Sequence, residues 1–207
     1  MPDSHPRLKL LVATGNLKKL KELQTLLADL PVDLLSLRDV PDVREVEETG
    51  LTFEENARLK ALGYAAQTGY LTLGEDSGIS CDALGGAPGV FSARFAGNGK
   101  DDNENNRKML EMMAGVEDDK RSAHYTAAVV LAEPGREVAA VSGEVHGFIT
   151  RELRGSGGFG YGPLFYYPPF DKTFGEVSSE MKHSVSHRSR ALVRLREALQ
   201  EYISSRG

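Results

Sequence analysis

Apolar and polar positions follow two rhythms along this chain. Leu8-Lys-Leu-Leu-Val-Ala-Thr14 is almost continuously apolar, as expected of a strand buried on both faces. After Gly15-Asn16 the apolar positions move to Leu20, Leu23, Leu27 and Leu30, one stripe at helical spacing that Pro31 stops. Val32 to Leu37 predicts the next strand. An acidic segment, Glu45-Val-Glu47-Glu48-Thr-Gly50, precedes Thr52-Phe-Glu-Glu55, which has the form of a capping box. An alanine-rich helix continues from there over Asn56 to Thr68. Tyr70 to Gly74 predicts a third strand that ends at Glu75-Asp76-Ser77-Gly78, and a long glycine- and proline-punctuated loop runs on to Gly99.

Asn103 to Met113 predicts a helix, after which the pattern turns to strands. Ala123 to Glu133 and Glu137 to Thr150 flank Pro134-Gly135, a hairpin signal. The glycine-rich stretch Gly155 to Pro163 leads into an apolar-aromatic strand, Leu164 to Tyr167. A final helix from about Ser186 carries Leu192, Leu195, Leu199 and Ile203 inward. Helices alternating with strands, then a late hairpin, predict an α/β or α+β fold with two lobes around a cleft.

The length of 207 residues suits one large domain of two lobes with a sizeable core. With 40% hydrophobic and 27% charged residues the composition is that of a soluble globule, and the N-terminal residues lack a signal-like apolar stretch. The expected location is therefore the cytoplasm, with no membrane span. A formal net charge of -5 argues against a general nucleic-acid or anionic-membrane surface, though not against a small polyphosphate. Cys81 is the single cysteine, which excludes an internal disulfide and a cysteine-rich zinc site. No G-x-S-x-G elbow is present, and Asp82 beside Cys81 would raise the thiol pKa, so neither a serine nor a thiol hydrolase fits.

Several groups could carry chemistry. Glu75 and Asp76, two carboxylates at a strand end with Ser77 and a glycine after them, suit a divalent cation with oxygen ligands, although Asp-Ser-Gly is also common turn chemistry. Pairing Glu47 or Glu48 with Asp76 would make a two-carboxylate magnesium site; a solvated acidic loop is the alternative. Thr14-Gly15-Asn16-Leu17-Lys18-Lys19 sits where a strand hands over to a helix. It offers backbone N–H groups and a lysine to phosphate, or a plain connection with Asn16 as cap. Lys60 either projects beside the alanine face or lies in solvent. The rings of Phe159-Gly160-Tyr161-Gly162 could stack on a flat base or simply precede a core strand. Lys182, His187 and Arg188 gather cations at a predicted helix start, where a bound anion would offset the unfavourable dipole.

Taken in order, Ala13-Thr-Gly-Asn16-x-x-Lys19, Glu47-Glu-Thr-Gly50, Thr52-Phe-x-Glu-Asn56-Ala-x-x-Lys60-Ala, Asp76-Ser-Gly, Leu84-Gly-Gly-Ala-Pro-Gly89, Ser92-Ala-Arg94, Gly157-Gly-Phe-Gly-Tyr161 and Ser186-His-Arg188 resemble the inosine triphosphate pyrophosphatase family. These are house-cleaning nucleotidases that remove ITP, dITP and XTP. The resemblance covers nearly the whole chain. It implies a two-lobed α/β fold with a long central mixed sheet flanked by helices, a cleft between the lobes, and a homodimer. It also implies Mg²⁺-dependent hydrolysis of a purine nucleoside triphosphate to monophosphate and pyrophosphate. By position, Thr14 to Lys19 would hold phosphates. Asp76 would be the catalytic carboxylate, activating water or holding metal with Glu47 or Glu48. Ser77 and Lys60 would bind triphosphate. Phe159 to Gly162 would form the base pocket, completed by Lys182, His187 and Arg188.

One position departs from the family, which usually reads Gly-Gly-Phe-Gly-Tyr-Asp-Pro where this chain has Gly162. The expectation is a retained fold and metal site with altered turnover or base choice. The alternative reading is a nucleotide-binding protein with weak or lost turnover.

Overall fold

A computed structural model of the chain describes residues 7–97, 101–157 and 159–206, apart from the side chain of Lys18. Gly158 of the aromatic-glycine motif, the end of the long loop at Gly99 and the first six residues lie outside the described residues. In chain order the elements are β1 (Leu8–Val12), α1 (Leu17–Leu26), β2 (Val32–Ser36), α2 (Phe53–Thr68), β3 (Leu71–Cys81), α3 (Asp102–Met112), β4 (Ser122–Glu133), β5 (Arg136–Ile149), β6 (Phe165–Tyr167), β7 (Lys172–Thr173), α4 (Ser179–Val185) and α5 (His187–Ser204). Short 3-10 turns punctuate the connections. The seven strands form one mixed sheet in the order β2-β1-β3-β4-β5-β6-β7, so the expected α/β class with a long mixed sheet and flanking helices holds.

The chain divides into two compact units, one of residues up to Asp76 with 128–142 and 191–207, the other of 77–127 and 143–190. In the first unit β1 pairs in parallel with β2, Leu10 opposite Leu34, and with β3, Val12 opposite Leu73. Parallel neighbours require crossovers, and α1 and α2 lie in those connections. α2 starts with the predicted capping box: Thr52 accepts from the Glu55 N–H, Glu55 returns the bond to the Thr52 N–H, and left-handed Gly69 closes the other end. Ala57 and Ala61 are fully buried and pack with Ala128, Val130 and Ala132. The contact with β3 is closer still. A Cβ at Gly74 would lie 2.2 Å from the Ala57 carbonyl oxygen and 2.7 Å from the Ala61 nitrogen, so the helix backbone rests directly on the strand at that glycine.

In the second unit Ile79, Cys81, Met109, Met113, Tyr125, Phe165 and Phe174 belong to one core. β5 pairs antiparallel with β6 (Ile149 opposite Phe165) and β6 with β7. Arg121, 3% exposed, fastens the end of α3. Its guanidinium donates to the carbonyls of Met113, Ile149 and Thr150 at 2.6, 2.7 and 2.9 Å, which satisfies a buried cation with backbone acceptors alone.

Four expectations need correction. β3 does not end at Gly74 but continues to Cys81, so Glu75 and Asp76 lie inside a strand. Ile79 and Cys81 are fully buried and Ser80 bridges Pro88; the glycine and Asp-Ser-Gly chemistry masked this period-two signal. The predicted loop to Gly99 thus begins only after Cys81 and contains two 3-10 turns. The cationic cluster does not sit at one helix start: Lys182 and His183 occupy the last turn of α4, and His187 and Arg188 open α5. On α5, Leu192, Leu195 and Leu199 are buried as expected, but Tyr202 rather than Ile203 completes the inward row. Among the described residues no helix is long and apolar enough to cross a membrane.

Candidate functional site

The acidic segment before α2 is laid along that helix by a regular set of contacts. Gln67 brackets Arg44, accepting its N–H at 2.7 Å and donating to its carbonyl at 3.1 Å. Val46 covers Gly63, where a Cβ would come within 2.7 Å of the valine methyl. Lys60 Nζ reaches Glu48 Oε2 at 3.0 Å, and the Gly50 N–H donates to Asn56 Oδ1 at 2.8 Å. The helix offers positions 67, 63, 60 and 56, one per turn, and the extended segment answers with every second residue. That alternation separates two neighbours that local sequence left equivalent: both are exposed, but Glu48 is the one that pairs with Lys60.

The same helix face meets Asp76. Asn56 is 2% exposed, and its Nδ2 donates to Asp76 Oδ2 at 3.2 Å. One turn on, Lys60 Nζ lies 3.8 Å from Asp76 Oδ1, so one ammonium stands between Glu48 and Asp76. The close seating of α2 on Gly74 brings these groups to the strand. Beside them Glu75, 8% exposed, is paired with Lys19 at 3.1 Å.

Lys19 comes from the first turn of α1. Asn16 caps that helix, its Oδ1 accepting the Lys19 N–H at 3.4 Å, while Thr14 Oγ1 accepts the Asn16 N–H at 3.1 Å. The cap and a lysine that reaches Glu75 of β3 therefore occur together. Nothing lies within 4 Å of a Cβ placed at Gly15, and Leu17 is exposed.

In the second unit a cavity of about 180 Å³ is lined by groups that include Ser77, Phe159, Gly160, Tyr161, Lys182 and His187. All six are residues singled out by sequence. Tyr161 is anchored by its hydroxyl, which donates to the Ser92 carbonyl at 2.8 Å. His187 stacks on Tyr125 with ring centroids 5.0 Å apart. Phe159 is 78% exposed, and the Lys182 ammonium lies 4.4 Å from its ring centroid. Burial holds Lys182 below the ordinary lysine value and brings Arg188 down to about 10. Both cations are thus held where water supports them poorly. Gly162 donates weakly to the Phe159 carbonyl at 3.4 Å and accepts from the Gly175 N–H at 3.0 Å.

Two residues of these surroundings escaped a sequence-based role. Asn56 was visible only as a polar residue in an alanine helix, whereas Glu75, expected with Asp76 to face a cation, is instead paired with Lys19. Asp102, which lines the cavity from the start of α3, carried no local signal at all.

Chemically, the first unit gathers hard oxygen donors and ammonium groups, and the second a partly aromatic cavity edged by cations. Among the described residues no three His, Cys, Asp or Glu side chains are grouped closely enough to cage a metal ion. Asp76 and Glu48, brought to one ammonium, instead suit a hard cation that completes its shell with water and phosphate oxygens.

Comparison with known proteins agrees with this chemistry. A sequence profile of the Ham1 family matches residues 10–198. A dITP/XTP pyrophosphatase from Desulforamulus reducens is 48% identical over 93% of this chain and 96% of its own length. One from Listeria monocytogenes is 43% identical over 94% and 96%. Among solved structures, a HAM1 protein from Coxiella burnetii superposes with a TM-score of 0.89 at 40% identity, covering 94% of this chain and 99% of that one. The crystal structure of a nucleoside-triphosphatase/dITP/XTP pyrophosphatase from Mycobacterium abscessus gives 0.81 at 42% identity, covering 91% and 97%.

Proposed function

This chain belongs to the Ham1 family, and from that footing we propose that it hydrolyses the deaminated purine nucleoside triphosphates ITP, dITP and XTP to monophosphate and pyrophosphate. It is a nucleoside triphosphate pyrophosphatase, a hydrolase of acid anhydrides, acting as one domain over the whole chain. The observation that carries the reading is the placement of Asp76 against Asn56 and Lys60, beside the Lys19–Glu75 pair.

Water attacks at phosphorus, the anhydride bond between the α- and β-phosphates breaks, and pyrophosphate leaves. Asp76 accepts the proton that the attacking water gives up. The Asn56 amide on Oδ2 fixes the plane of that carboxylate, and the Lys60 ammonium stands 3.8 Å from Oδ1. Lys19 and Lys60 offset the charge of the triphosphate, with Thr14, Asn16 and the N–H groups at the start of α1 completing its cradle. Asp76 and Glu48, rather than Glu47, would hold Mg²⁺. When bound, the cation neutralises phosphate charge and favours formation of the water nucleophile.

Phe159, Gly160, Tyr161, Lys182 and His187 surround the base, and Arg188 and Ser77 reach its phosphates. We place the protein in the cytoplasm as a homodimer, where it clears aberrant nucleotides from the pool. A nucleotide-binding protein with weak turnover is the second reading, and Gly162 alone favours it.

The test is incubation with Mg²⁺ and ITP, XTP, GTP or ATP, with chromatographic resolution of products. IMP and pyrophosphate from ITP, lost in Asp76→Asn and on adding excess EDTA, are expected. Binding of ITP without cleavage would sink the hydrolase reading in favour of the second one.

A further inference from the structure

Gly160 is held from both sides of its backbone by one helix. Asp102 Oδ2 accepts the Gly160 N–H at 2.7 Å, and Asn106 Nδ2 donates to the Gly160 carbonyl at 3.0 Å. Asp102 and Asn106 are one turn apart on α3, so a single helix face presents an acceptor and a donor at the spacing of one peptide unit. Gly160 itself has φ +63°, the left-handed conformation that glycine adopts at little cost. Asp101 caps the helix, its Oδ1 accepting the N–H groups of Asn103 and Glu104 at 2.8 and 3.3 Å. The intervening Asn105 grips another wall, accepting from the Ala96 N–H at 2.7 Å and donating to the Ala93 carbonyl at 3.3 Å. Ala93, Asp102 and Gly160 all line the cavity. The first turns of α3 are therefore a brace for it.

Among the described residues lining that cavity Asp102 is the only carboxylate, and Lys182 and His187 supply donors. Only Oδ2 is engaged; among the described residues Oδ1 accepts no hydrogen bond. A cavity whose lining offers an anionic acceptor as well as the Lys182 ammonium and the His187 ring complements a lactam edge, N–H beside C=O. A 6-oxopurine presents N1–H and O6 in that arrangement. Adenine presents the reverse, a bare N1 and an amino group.

We propose that Asp102 is a specificity-determining residue: clamped through Gly160, its carboxylate accepts the N1–H of a 6-oxopurine and rejects adenine. The inference rests on the nucleotide reading above. Guanine carries the same N1–H, so this group separates 6-oxopurines from adenine and leaves exclusion of guanine to other contacts. Rejection is strong because adenine would set its N1 lone pair against a carboxylate, leaving both acceptors without a donor.

Asp102→Asn separates this role from that of the clamp, because the amide oxygen can still take the Gly160 N–H while the other position becomes a donor. Equilibrium dissociation constants for ITP, GTP and ATP are measured by calorimetry in excess EDTA, so that binding is read without turnover. Asp102→Asn is expected to lower both the ITP/ATP and the GTP/ATP preference by about tenfold or more, the size of a charge-assisted hydrogen bond. Its melting temperature should stay near that of the unaltered protein. Asp102→Ala, which removes clamp and acceptor together, is expected to weaken ITP and GTP more than ATP.

An unchanged ITP/ATP ratio in Asp102→Asn overturns the proposal, and so does loss of all nucleotide binding in that variant, which would make the side chain a structural support only. Hydrolysis is scored separately with Mg²⁺. ITP cleavage by the unaltered protein with no effect of Asp102→Asn on the ratio defeats this inference alone. An ITP preference in binding that Asp102→Asn erases, without cleavage by the unaltered protein, supports it and defeats the hydrolase reading.

Discussion

Asn56 donates from Nδ2 to Asp76 Oδ2 at 3.2 Å, joining a helix side chain that is almost fully buried to a carboxylate inside a strand. Its other amide atom is equally engaged, since Oδ1 takes the Gly50 N–H. Both ends of one small amide thus hold the acidic segment and β3 against α2.

Replacing Asn56 with Ala removes both bonds and strands the Gly50 N–H. A loss of about 1–3 kcal/mol in unfolding free energy is expected, measured by urea denaturation. Turnover of ITP should fall by about tenfold or more, with KM changed less, because Asp76 loses its orientation while the phosphate cations remain. Unchanged kcat in a folded Asn56→Ala protein would remove Asn56 from the catalytic arrangement.

Gly74→Ala should be more damaging than its size suggests. The new methyl would meet backbone atoms at 2.2 and 2.7 Å rather than a yielding side chain. α2 must move off β3, at a cost of about 1–3 kcal/mol or more, and it carries Asn56 and Lys60 with it. The expected result is reduced stability and reduced turnover together. A variant as stable and as active as the starting protein would show that the helix seat is not needed.

Gly162→Asp tests the departure from the family pattern. A Cβ there would meet the Phe159 carbonyl oxygen at 3.4 Å and Phe174 Cβ at 3.7 Å, ordinary contacts, and Gly162 is not among the glycines with positive φ. The backbone has room for the change, but Gly162 is buried, so an unpaired carboxylate there is expected to cost about 1–3 kcal/mol of stability. Turnover or the ITP/GTP ratio should shift. If kinetic assays on both substrates find neither altered, the position is silent.

The pH dependence follows from Lys182, whose pKa burial lowers from 10.5. The folded state disfavours its protonated form, so the unfolded chain binds more protons in the window between the lowered value and 10.5. Below that window the stability cost is fully present; as pH rises through it, the cost is relieved and this contribution to stability grows. Nucleotide affinity moves the opposite way, because only the ammonium form meets the base as a charged donor. Affinity for IMP should therefore decline on the alkaline side before ordinary lysines titrate, and Lys182→Arg should shift that decline upward. Calorimetric titrations between pH 7 and 10.5 would show it; coincident profiles would exclude Lys182 from base binding.

Much of the fold was legible because its cues are local. The capping box at Thr52 and Glu55, the leucine row of α5 and the Pro134-Gly135 hairpin each announce themselves within a few residues. The length of β3 was not legible, since Ser77 and Gly78 read as turn residues until the alternating burial of Ile79 and Cys81 is seen. Glu48 could not be told from Glu47 without the partner helix, because only the contact with α2 selects alternate residues of that segment. Asp102 acts on Gly160 across 58 positions of chain, a relation that no local pattern can carry.

The unbroken run of β3 has a consequence for how this chain can vary. Glu75, Asp76 and Ser77 are consecutive rungs of one strand, and in a pleated strand a shift of one residue turns every side chain to the opposite face. An insertion or deletion of a single residue between Leu71 and Cys81 would therefore not lengthen or shorten the strand harmlessly. It would present Glu75 or Ser77 where Asp76 belongs and drive a side chain into the helix resting on Gly74. Surface connections such as the Pro134-Gly135 turn can absorb changes in length, but this strand works as a ruler with one permitted reading.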